Sequence, residues 1–367
     1  MIDPVIDNGM ENENPLLNKF MALPRRKVTI KQVAQEAGVS TQTVSRVLND
    51  RPDVAPETRQ EILDIIDRLG YQPSALARSL IQQRSYTLGI VIAGLRFIGP
   101  SRTLNGMTAR AEEMGYSLLL KKLPKFDTED VEPILNDLLA RQVDGIIWAV
   151  PKIGGNHNWL QDRLPSLPVP IIVLTTQEKT NVSTVSIDNY WGGRIATEHL
   201  LAQGCQHIGH LAGPLVWWEA HQRHAAWRDV LTAAEKPVKS NHWIEGDWSS
   251  QSAVEPFAQL LDQYPEMDGV FVANDQMALA VLQVAHQRGL RIPQDLAVVG
   301  FDGLAEAPYF WPALTTIRQD LHELGCVAVQ EVVRMIETGR DSDVVYQSEA
   351  VLLRPKLIVR QSSQKNI

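Results

Sequence analysis

Val28 to Asn49, VTIKQVAQEAGVSTQTVSRVLN, predicts two short amphipathic helices separated by a tight turn. Thr29 and Ser40 stand where the two helices would be capped, and Gln32 completes a capping box with Thr29. Gly38 supplies the left-handed backbone conformation that ends the first helix. One face of the first helix is apolar, because its apolar side chains recur every three or four positions, at Ile30, Val33, Ala34 and Ala37. The pair is therefore predicted to form a helix-turn-helix.

The second of these helices leaves a polar surface on its outer side. Amide side chains form paired hydrogen bonds with adenine in the major groove, and guanidinium groups do so with guanine. Gln42 and Arg46 both lie on this outer side, while Val44 and Val47 face the first helix. We therefore expect the motif to read DNA, with contacts made by Thr29, Ser40, Thr41, Gln42, Thr43, Ser45, Arg46 and Asn49.

The spacing of AGVS at 37–40 before TVSRVLN at 43–49 resembles that of the lactose-repressor/galactose-repressor (LacI/GalR) family of bacterial transcription factors. The resemblance extends from about Val28 to about Arg360. It implies an N-terminal all-α helix-turn-helix headpiece with a hinge helix, followed by a two-lobed α/β periplasmic-binding-protein-like type I core. It also implies a homodimer that binds a palindromic double-stranded DNA operator and a small-molecule effector.

Charge is distributed unevenly along the chain. The 367 residues include 35 Lys and Arg and 43 Asp and Glu, a net charge of -8. Between Arg25 and Arg51, six cations stand against two anions, a local charge of +4, so the remainder carries -12. A basic head on an acidic body suits a protein whose head alone meets phosphate.

The segment after the two helices is predicted to complete the headpiece and then to form a hinge. Pro56 suits the first turn of a third helix, and Gly70 suits its end. The stretch 75–80 is too short for a stable isolated helix, so we expect it to be disordered alone and helical when DNA and a partner subunit hold it. The family resemblance implies that Leu80 wedges into the minor groove. The predicted domains are a disordered extension (1–26), the headpiece (27–73), a hinge helix and linker (74–84), the core (85–361) and a tail (362–367).

From Thr87 onward, short apolar runs alternate with amphipathic stretches, which predicts parallel sheets covered by helices. About 280 residues of this pattern exceed what one sheet usually holds, and they favour two α/β lobes with a cleft between them. The family resemblance implies that the chain crosses between the lobes three times. The predicted strands lie at 88–92, 145–150, 170–174, 208–212, 269–272 and 296–299.

Polar residues follow three of these strands, and ligands of open α/β sheets bind beyond the carboxyl ends of strands. Asn274 and Asp302 come directly after a strand, and Arg223 lies in the helix after a third. An amide, a carboxylate and a guanidinium together can hold the vicinal hydroxyls of a sugar. Each also matches an effector-binding position of the family. Alternative interpretations are a loop residue for Asp302 and a helix N-cap for Asn274.

Aromatic side chains supply the other half of a sugar site, because a pyranose stacks its C–H face on a ring. The resemblance places Trp248 on the effector and Phe97 at a cleft-facing position. Trp217, Trp218 and Glu219 stand where a relative has small residues, which implies a reshaped wall, although Trp217 could equally pack in the core. The predicted effector-binding residues are Phe97, Trp218, Glu219, Arg223, Trp248, Asn274 and Asp302.

Other functional classes are disfavoured. His207 to His210 spells the nucleotide-binding signature of class I aminoacyl-tRNA synthetases, but it leads into an apolar strand instead of opening a helix. His221 and His224 have a spacing that metals can use, but no third ligand is suggested, so no metal site is predicted. Without a G-x-G-x-x-G or Walker-type loop, we expect neither an enzyme nor a bound cofactor. A transport or chemosensory sugar-binding protein of the same fold is disfavoured by the headpiece and by the acidic N-terminus, which does not resemble an export signal.

The remaining features concern location and regulation. Two cysteines, Cys205 and Cys326, and no apolar run of membrane-spanning length predict a cytoplasmic, nucleoid-associated protein. The chain ends without a leucine heptad, which favours a dimer over a tetramer, and Met1 or Met21 could be its start. We expect a repressor that a small carbohydrate releases from DNA. The alternatives are a sugar- or nucleoside-binding protein and a corepressor-dependent regulator of the same family.

Overall fold

The computed structural model describes residues 28–72, 84–153, 155–175, 182–339 and 349–365. The chain divides into two compact units, one ending at Arg84 and one beginning at Ser85, and each is described by itself. The predicted extension (1–26) and hinge residue Leu80 lie outside the described residues. These two expectations therefore stay predictions.

The described part of the first unit contains three helices, whose limits are α1 (Ile30–Glu36), α2 (Thr41–Leu48) and α3 (Pro56–Leu69). The predicted caps are present. The Thr29 N–H donates to Gln32 Oε1 at 2.8 Å, and Ser40 Oγ accepts from the Thr43 N–H at 3.1 Å. Gly38 has a φ of 63°, the left-handed conformation expected after α1. One small core joins the three helices, through Val33, Ala34, Val44, Val47, Ile62 and Ile65.

Among its described residues, the second unit contains two six-stranded sheets, each of which forms the centre of one lobe. In the first lobe the order is β11-β5-β4-β3-β1-β2, and every pairing is parallel. Its strands are β1 (Thr87–Ile92), β2 (Ser117–Lys122), β3 (Gly145–Ala149), β4 (Ile171–Leu174), β5 (Ser183–Ile187) and β11 (Ala350–Leu353).

The second lobe has the order β12-β10-β9-β8-β6-β7, in which only the β10–β12 pairing is antiparallel. Its strands are β6 (Ile208–Ala212), β7 (Trp243–Glu245), β8 (Gly269–Val272), β9 (Ala297–Asp302), β10 (Thr315–Arg318) and β12 (Lys356–Ile358). The two lobes predicted from the alternation of apolar runs are thus confirmed.

Helices cover both faces of each sheet, because strands such as β1 are apolar on both sides. Leu88, Ile90 and Ile92 join one core cluster of the first lobe, while Val91 joins the other. The first lobe carries α4 (Ile98–Glu113), α5 (Glu132–Ala140), α6 (Trp159–Arg163) and α11 (Leu321–Thr338). The second carries α7 (Asn189–Ala202), α8 (Trp218–Ala233), α9 (Ser250–Gln263) and α10 (Asp275–Gln287).

The chain crosses between the lobes three times, as the family resemblance implied. The crossings lie at Asp188, between β5 and α7, at 319–320, between β10 and α11, and at 354–355, between β11 and β12. The last described residues belong to the second lobe. Ser362 and Ser363, which we assigned to a tail, are fully buried, and Ser362 Oγ donates to the Val298 carbonyl at 2.7 Å. The core therefore continues past residue 361.

Candidate functional site

The outer face of α2 is the candidate DNA-reading surface of the first unit. Thr41, Gln42 and Arg46 are exposed on it, and Ser45 is half-buried between them. Asn49 follows the helix and donates from Nδ2 to the Ser45 carbonyl at 2.7 Å. The face therefore presents amide, hydroxyl and guanidinium groups on an element narrow enough for a major groove.

Two of the residues predicted to contact DNA also hold the motif together. Thr29 and Ser40 are N-caps, and Ser40 Oγ shares a hydrogen bond of 2.9 Å with Thr43 Oγ1. Arg46 has a partner within the first unit, because its Nη1 lies 3.1 Å from Asp53 Oδ2. Both side chains of this ion pair are about half exposed (48% and 53%), so the pair is weak and Arg46 can exchange it for another partner.

A cleft with an empty volume of about 950 Å³, open mouth included, lies between the two lobes of the second unit. Its walls come from the carboxyl ends of the strands in both sheets, where ligands of parallel sheets bind. The first lobe contributes residues that end or follow its strands, namely Ile92, Ala149 and Thr175. The second lobe contributes Asn274 and Asp302 from the same position relative to its strands. The predicted location of the site is therefore a real cleft.

Arg223 is the centre of the polar network in this cleft. Its side chain is buried, with only 4% of the residue exposed. Nε donates to Asn189 Oδ1 at 2.9 Å, and Nη1 donates to the Ala273 carbonyl at 2.5 Å. The guanidinium carbon lies 3.7 Å from the centre of the Phe301 ring, so the plane is stacked as well as hydrogen-bonded. These contacts fix the orientation of the guanidinium before any ligand arrives.

Asp302 faces Arg223 across the site, with 3.8 Å between Oδ1 and Nη1. Gln319 Nε2 donates to the same oxygen at 2.6 Å. Burial raises the pKa of the Asp302 carboxyl to about 6, although the nearby Arg223 charge opposes the shift. Behind it, burial and the charge of Asp302 raise the pKa of Asp275 to about 7. Thr316 Oγ1 donates to Asp275 Oδ1 at 2.6 Å and the Leu304 N–H donates to its Oδ2 at 2.8 Å, so Asp275 has its own partners.

Trp248 forms part of the apolar wall, and Asn274 holds it there. Asn274 Oδ1 accepts from the Met277 N–H at 2.9 Å, which is the predicted alternative of a helix N-cap. Its Nδ2 donates to the Trp248 carbonyl at 2.9 Å, so both ends of the amide already have partners. A Cβ on Gly213 would come within 2.3 Å of the Trp248 ring, so glycine is required beneath it. Trp248 and Asp302 both have positive φ (77° and 112°), a strain that concentrates at functional sites.

Trp217 connects the two lobes across the cleft. Its ring lies 5.9 Å from that of Trp248 in its own lobe, and 5.9 and 4.9 Å from those of Phe97 and Phe126 in the first lobe. The backbone makes the same connection, since Trp217 forms an isolated antiparallel bridge with Ile153. The aromatic wall therefore belongs to both lobes and holds them together in this conformation.

Glu219 lies in the first turn of α8 and lines the cleft. Its Oε2 is shielded from solvent and has no hydrogen-bond partner within the described part of the chain. Burial raises the pKa of this carboxyl to about 7, although its own backbone N–H and the charge of Arg223 oppose the shift. The cleft thus contains an acceptor that the protein leaves unsatisfied.

Comparison with known proteins agrees with both units. The family profile described as "Bacterial regulatory proteins, lacI family" matches residues 29–74, and the one for a periplasmic binding protein-like domain matches residues 197–363. Catabolite control protein A of Priestia megaterium is 32% identical, over 92% of this chain and 99% of that protein. The chain belongs to the lacI family of bacterial regulatory proteins.

Solved structures of this lacI family superpose well on the chain. The lac repressor dimer bound to operator and the anti-inducer ONPF has a TM-score of 0.81 and 30% identity, over 92% of this chain and 99% of that one. The complex of the transcriptional regulator CelR with cellobiose has a TM-score of 0.67 and 29% identity, over 92% and 100%. The predicted fold class and family are therefore confirmed.

Membership of the lacI family also decides the functional class. Its members are transcriptional regulators, which confirms the prediction that the chain is not an enzyme. The sequence HIGH at His207 to His210 leads into β6, where His210 is fully buried and its Nδ1 lies 2.8 Å from the Phe271 carbonyl oxygen. Across the described ranges, no three metal-binding side chains cluster together. No described helix is long and apolar enough to cross a membrane.

Six of the seven residues predicted to bind the effector line the cleft of this lacI-family member, namely Phe97, Glu219, Arg223, Trp248, Asn274 and Asp302. Trp218 does not line it. Trp217 occupies the cleft instead, because α8 begins at Trp218 and the preceding residue is extended, with φ of -85° and ψ of 130°. Their roles in binding stay predictions.

Sequence reasoning missed Asn189 and Gln319, which line the same cleft. Asn189 follows the crossing at Asp188, and Gln319 begins the crossing at 319–320. Each comes after a strand that we did not predict, β5 and β10. The signal that could have found them is the Asp residue beside each, since Asp188 and Asp320 both accept a helix-capping N–H bond.

Proposed function

We propose that this lacI-family regulator represses transcription by binding a palindromic operator as a dimer, and that a small carbohydrate bound in the cleft releases it from DNA. The observation that carries the proposal is the network of Arg223. It faces the cleft while bonding to Asn189, where the chain enters the second lobe. A ligand on Arg223 therefore acts where the two lobes are joined.

DNA recognition is assigned to the outer face of α2. Gln42 is expected to prefer adenine and Arg46 guanine, each contributing roughly 1–3 kcal/mol of discrimination. Exposed Lys31 and the N-terminal end of α2 suit phosphate contacts. Such contacts would position the helix without reading the sequence. Regulation of this kind would take place on DNA in the cytoplasm.

A dimer is supported by apolar side chains on the surface of the second lobe. Tyr309 and Trp311 are 87% and 90% exposed, and Leu279 on α10 is 46% exposed. Large exposed aromatic residues are enriched in protein interfaces. A twofold dimer would present two copies of α2, so the operator should be a palindrome with half-sites one helical turn apart.

A carbohydrate effector is supported by the two chemistries that meet in the cleft. Arg223 and Asp302 can hold vicinal hydroxyls, and the ring of Trp248 can cover a sugar face. The related regulator CelR forms a complex with the disaccharide cellobiose. For this chain a sugar can bias DNA binding only by preferring one of two core conformations.

Selection of operators from a random DNA pool, followed by sugar titration, tests this function. Palindromic sites are expected, with adenine and guanine preferences that relax in Gln42→Ala and Arg46→Ala respectively. Lys31→Ala is the matched control, because it should weaken binding to all sequences equally. Recovery of non-palindromic sites would contradict the dimer, and operator binding strengthened by the sugar would instead support the corepressor alternative.

A further inference from the structure

The cleft contains one carboxylate that the network around Arg223 does not use. Oε2 of Glu219 is shielded from solvent and accepts no hydrogen bond from the described residues. The start of α8 favours a negative charge there, because helix dipoles are positive at their N-termini. A shielded acceptor without a donor is nevertheless costly. Glu219 therefore keeps a hydrogen-bonding capacity that the described residues do not use, and it lines the cleft.

The charges around the cleft limit what that ligand can be. Among the described residues that line it, Arg223 is the one cation, against the carboxylates of Glu219 and Asp302. Arg223 lies 3.8 Å from Asp302 but has no ion pair with Glu219 within 4.0 Å among the described contacts. The charge of Arg223 is thus shared with Asp302 before a ligand arrives. Above about pH 7, where Glu219 is ionised, a phosphate or carboxylate would meet its like charge at low dielectric.

A second unsatisfied group points to hydroxyl chemistry. The Trp248 Nε1 donor is also shielded and has no acceptor within the described part of the chain. Glu219 and Trp248 both line the cleft. Hydroxyl groups serve as both donor and acceptor, so a polyol offers the kind of partner that each of these two side chains lacks.

We propose that Glu219 is a specificity-determining residue that selects a non-anionic carbohydrate. It would accept a hydrogen bond from a hydroxyl or amino group of the effector and exclude sugars that carry phosphate or carboxylate. The inference rests on the proposed function, since it names the class of effector for the same cleft.

Thermal unfolding and calorimetry of the full chain with matched sugars test this selection. The probes are glucose with glucosamine, glucose 6-phosphate and glucuronate, galactose with galactosamine and galacturonate, ribose with ribose 5-phosphate, and the disaccharides cellobiose and lactose. We expect stabilisation by a neutral or amino sugar and none by its anionic counterpart. If the amino sugar binds more tightly than its neutral counterpart, the donor to Glu219 is an ammonium group. If the neutral sugar binds more tightly, the donor is a hydroxyl group.

Variants of Glu219 separate its charge from its hydrogen bond. Glu219→Gln should lower the affinity for the best-binding sugar about tenfold. It should also raise the ratio of the affinity for the anionic sugar to that for the neutral sugar at least about tenfold. Glu219→Asp keeps the charge but shortens the side chain, so it should lower the affinity for the neutral sugar while still excluding anionic sugars. Glu255→Gln, an exposed change on α9 of the same lobe, is the control and should alter neither quantity.

The two hypotheses fail in different ways. A phosphorylated or carboxylated sugar that binds the wild type more tightly than its neutral counterpart would overturn the role of Glu219, yet leave a carbohydrate-responsive regulator standing. An unchanged affinity ratio in folded Glu219→Gln would do the same. If no sugar of the panel stabilises a protein that binds its selected operator, the carbohydrate effector itself is wrong, and this inference falls with it.

Discussion

Arg223 Nε donates to Asn189 Oδ1 at 2.9 Å, which links the centre of the cleft to the first residue after a crossing between the lobes. Gln319 repeats the arrangement at the second crossing, where its Nε2 donates to Asp302 Oδ1 at 2.6 Å. Both partners of the Arg223–Asp302 pair are therefore tied to segments that join the lobes. A ligand that alters this pair changes the contacts at two crossings together.

Removal of the Asn189 amide should uncouple sugar binding from DNA release. In Asn189→Ala, Arg223 loses one fixed acceptor, so sugar affinity should fall by about tenfold or less. The operator affinity without sugar, divided by the operator affinity with sugar, should be smaller in Asn189→Ala than in the wild type. The decrease should exceed the one that the lower sugar occupancy alone would cause. Anisotropy of labelled operator at saturating sugar measures this ratio. Asn241→Ala, which removes an exposed amide of the same lobe, is the control, and equal responses in the two variants would refute the coupling.

The adjacent tryptophans Trp217 and Trp218 offer a matched pair of substitutions. Trp217→Ala removes a ring that lines the cleft and contacts both lobes, whereas Trp218→Ala removes one outside the cleft. We expect sugar affinity to fall about tenfold or more in the first variant and to change little in the second. Calorimetry measures the sugar affinity of both variants. A greater loss of affinity in Trp218→Ala would show that Trp218, the residue predicted from the sequence, binds the effector.

In the headpiece, Asp53 is expected to compete with DNA for Arg46. The exposed pair is worth at most about 1 kcal/mol, so Asp53→Asn should tighten operator binding by up to about fivefold. Asp64→Asn removes the same charge from α3 without touching Arg46, and it reports the general charge effect. Electrophoretic mobility shifts at one salt concentration measure the operator affinity of the two variants. Identical gains in the two variants would mean that the pair with Asp53 does not restrain Arg46.

The ionisation of Glu219 should destabilise the empty protein. Because its pKa rises from 4.5 to about 7, the native state keeps a proton that the unfolded chain has lost. The destabilisation is therefore absent below about pH 4.5, grows as the pH approaches 7 and is constant above it. Glu219→Gln should raise the free energy of unfolding at pH 8 by on the order of 1–3 kcal/mol, and by less at pH 5.5.

The measured quantity in that experiment is the difference between variant and wild type at each pH. Burial lowers the pKa of His157 and of His224 to about 4, so these residues make the stability of both proteins rise with pH from about 4 to 6.5. The subtraction removes their contribution. A difference that is larger at pH 5.5 than at pH 8 would contradict the raised pKa of Glu219.

The helix-turn-helix could be predicted closely because its signals are local. The Thr29–Gln32 capping box, the Ser40 cap and the left-handed Gly38 each act within a few residues of the element they limit. Six core strands were also predictable, since apolar runs mark strands that are buried on both faces. Arg223, Asn274 and Asp302 followed from those strands and from the family resemblance.

The strands β5 and β10 escaped prediction because their burial depends on hydroxyl groups. In TTIR, the segment that forms β10, the fully buried Thr316 donates from Oγ1 to Asp275 Oδ1 at 2.6 Å. That partner is distant in sequence, so an apolar-run criterion does not see the strand. Asn189 and Gln319 follow these two strands and were missed with them. The choice between Trp217 and Trp218 failed for another reason, because it depends on the start of α8 to within one residue.

The most direct test of the central claim is operator affinity, measured by fluorescence anisotropy, with and without the neutral sugar that stabilises the wild type most. Arg223→Ala should keep its sugar-free operator affinity within about threefold, because Arg223 lies outside the DNA-binding unit. It should lose on the order of 2–3 kcal/mol of sugar affinity and, with it, release from DNA. Arg223→Lys keeps the positive charge but lacks the paired N–H donors of the guanidinium. It serves as a second variant in case Arg223→Ala does not fold. We expect sugar to weaken operator binding about tenfold or more in the wild type and not in either variant. Unchanged sugar affinity in folded Arg223→Ala, or wild-type operator binding strengthened by sugar, would contradict the account.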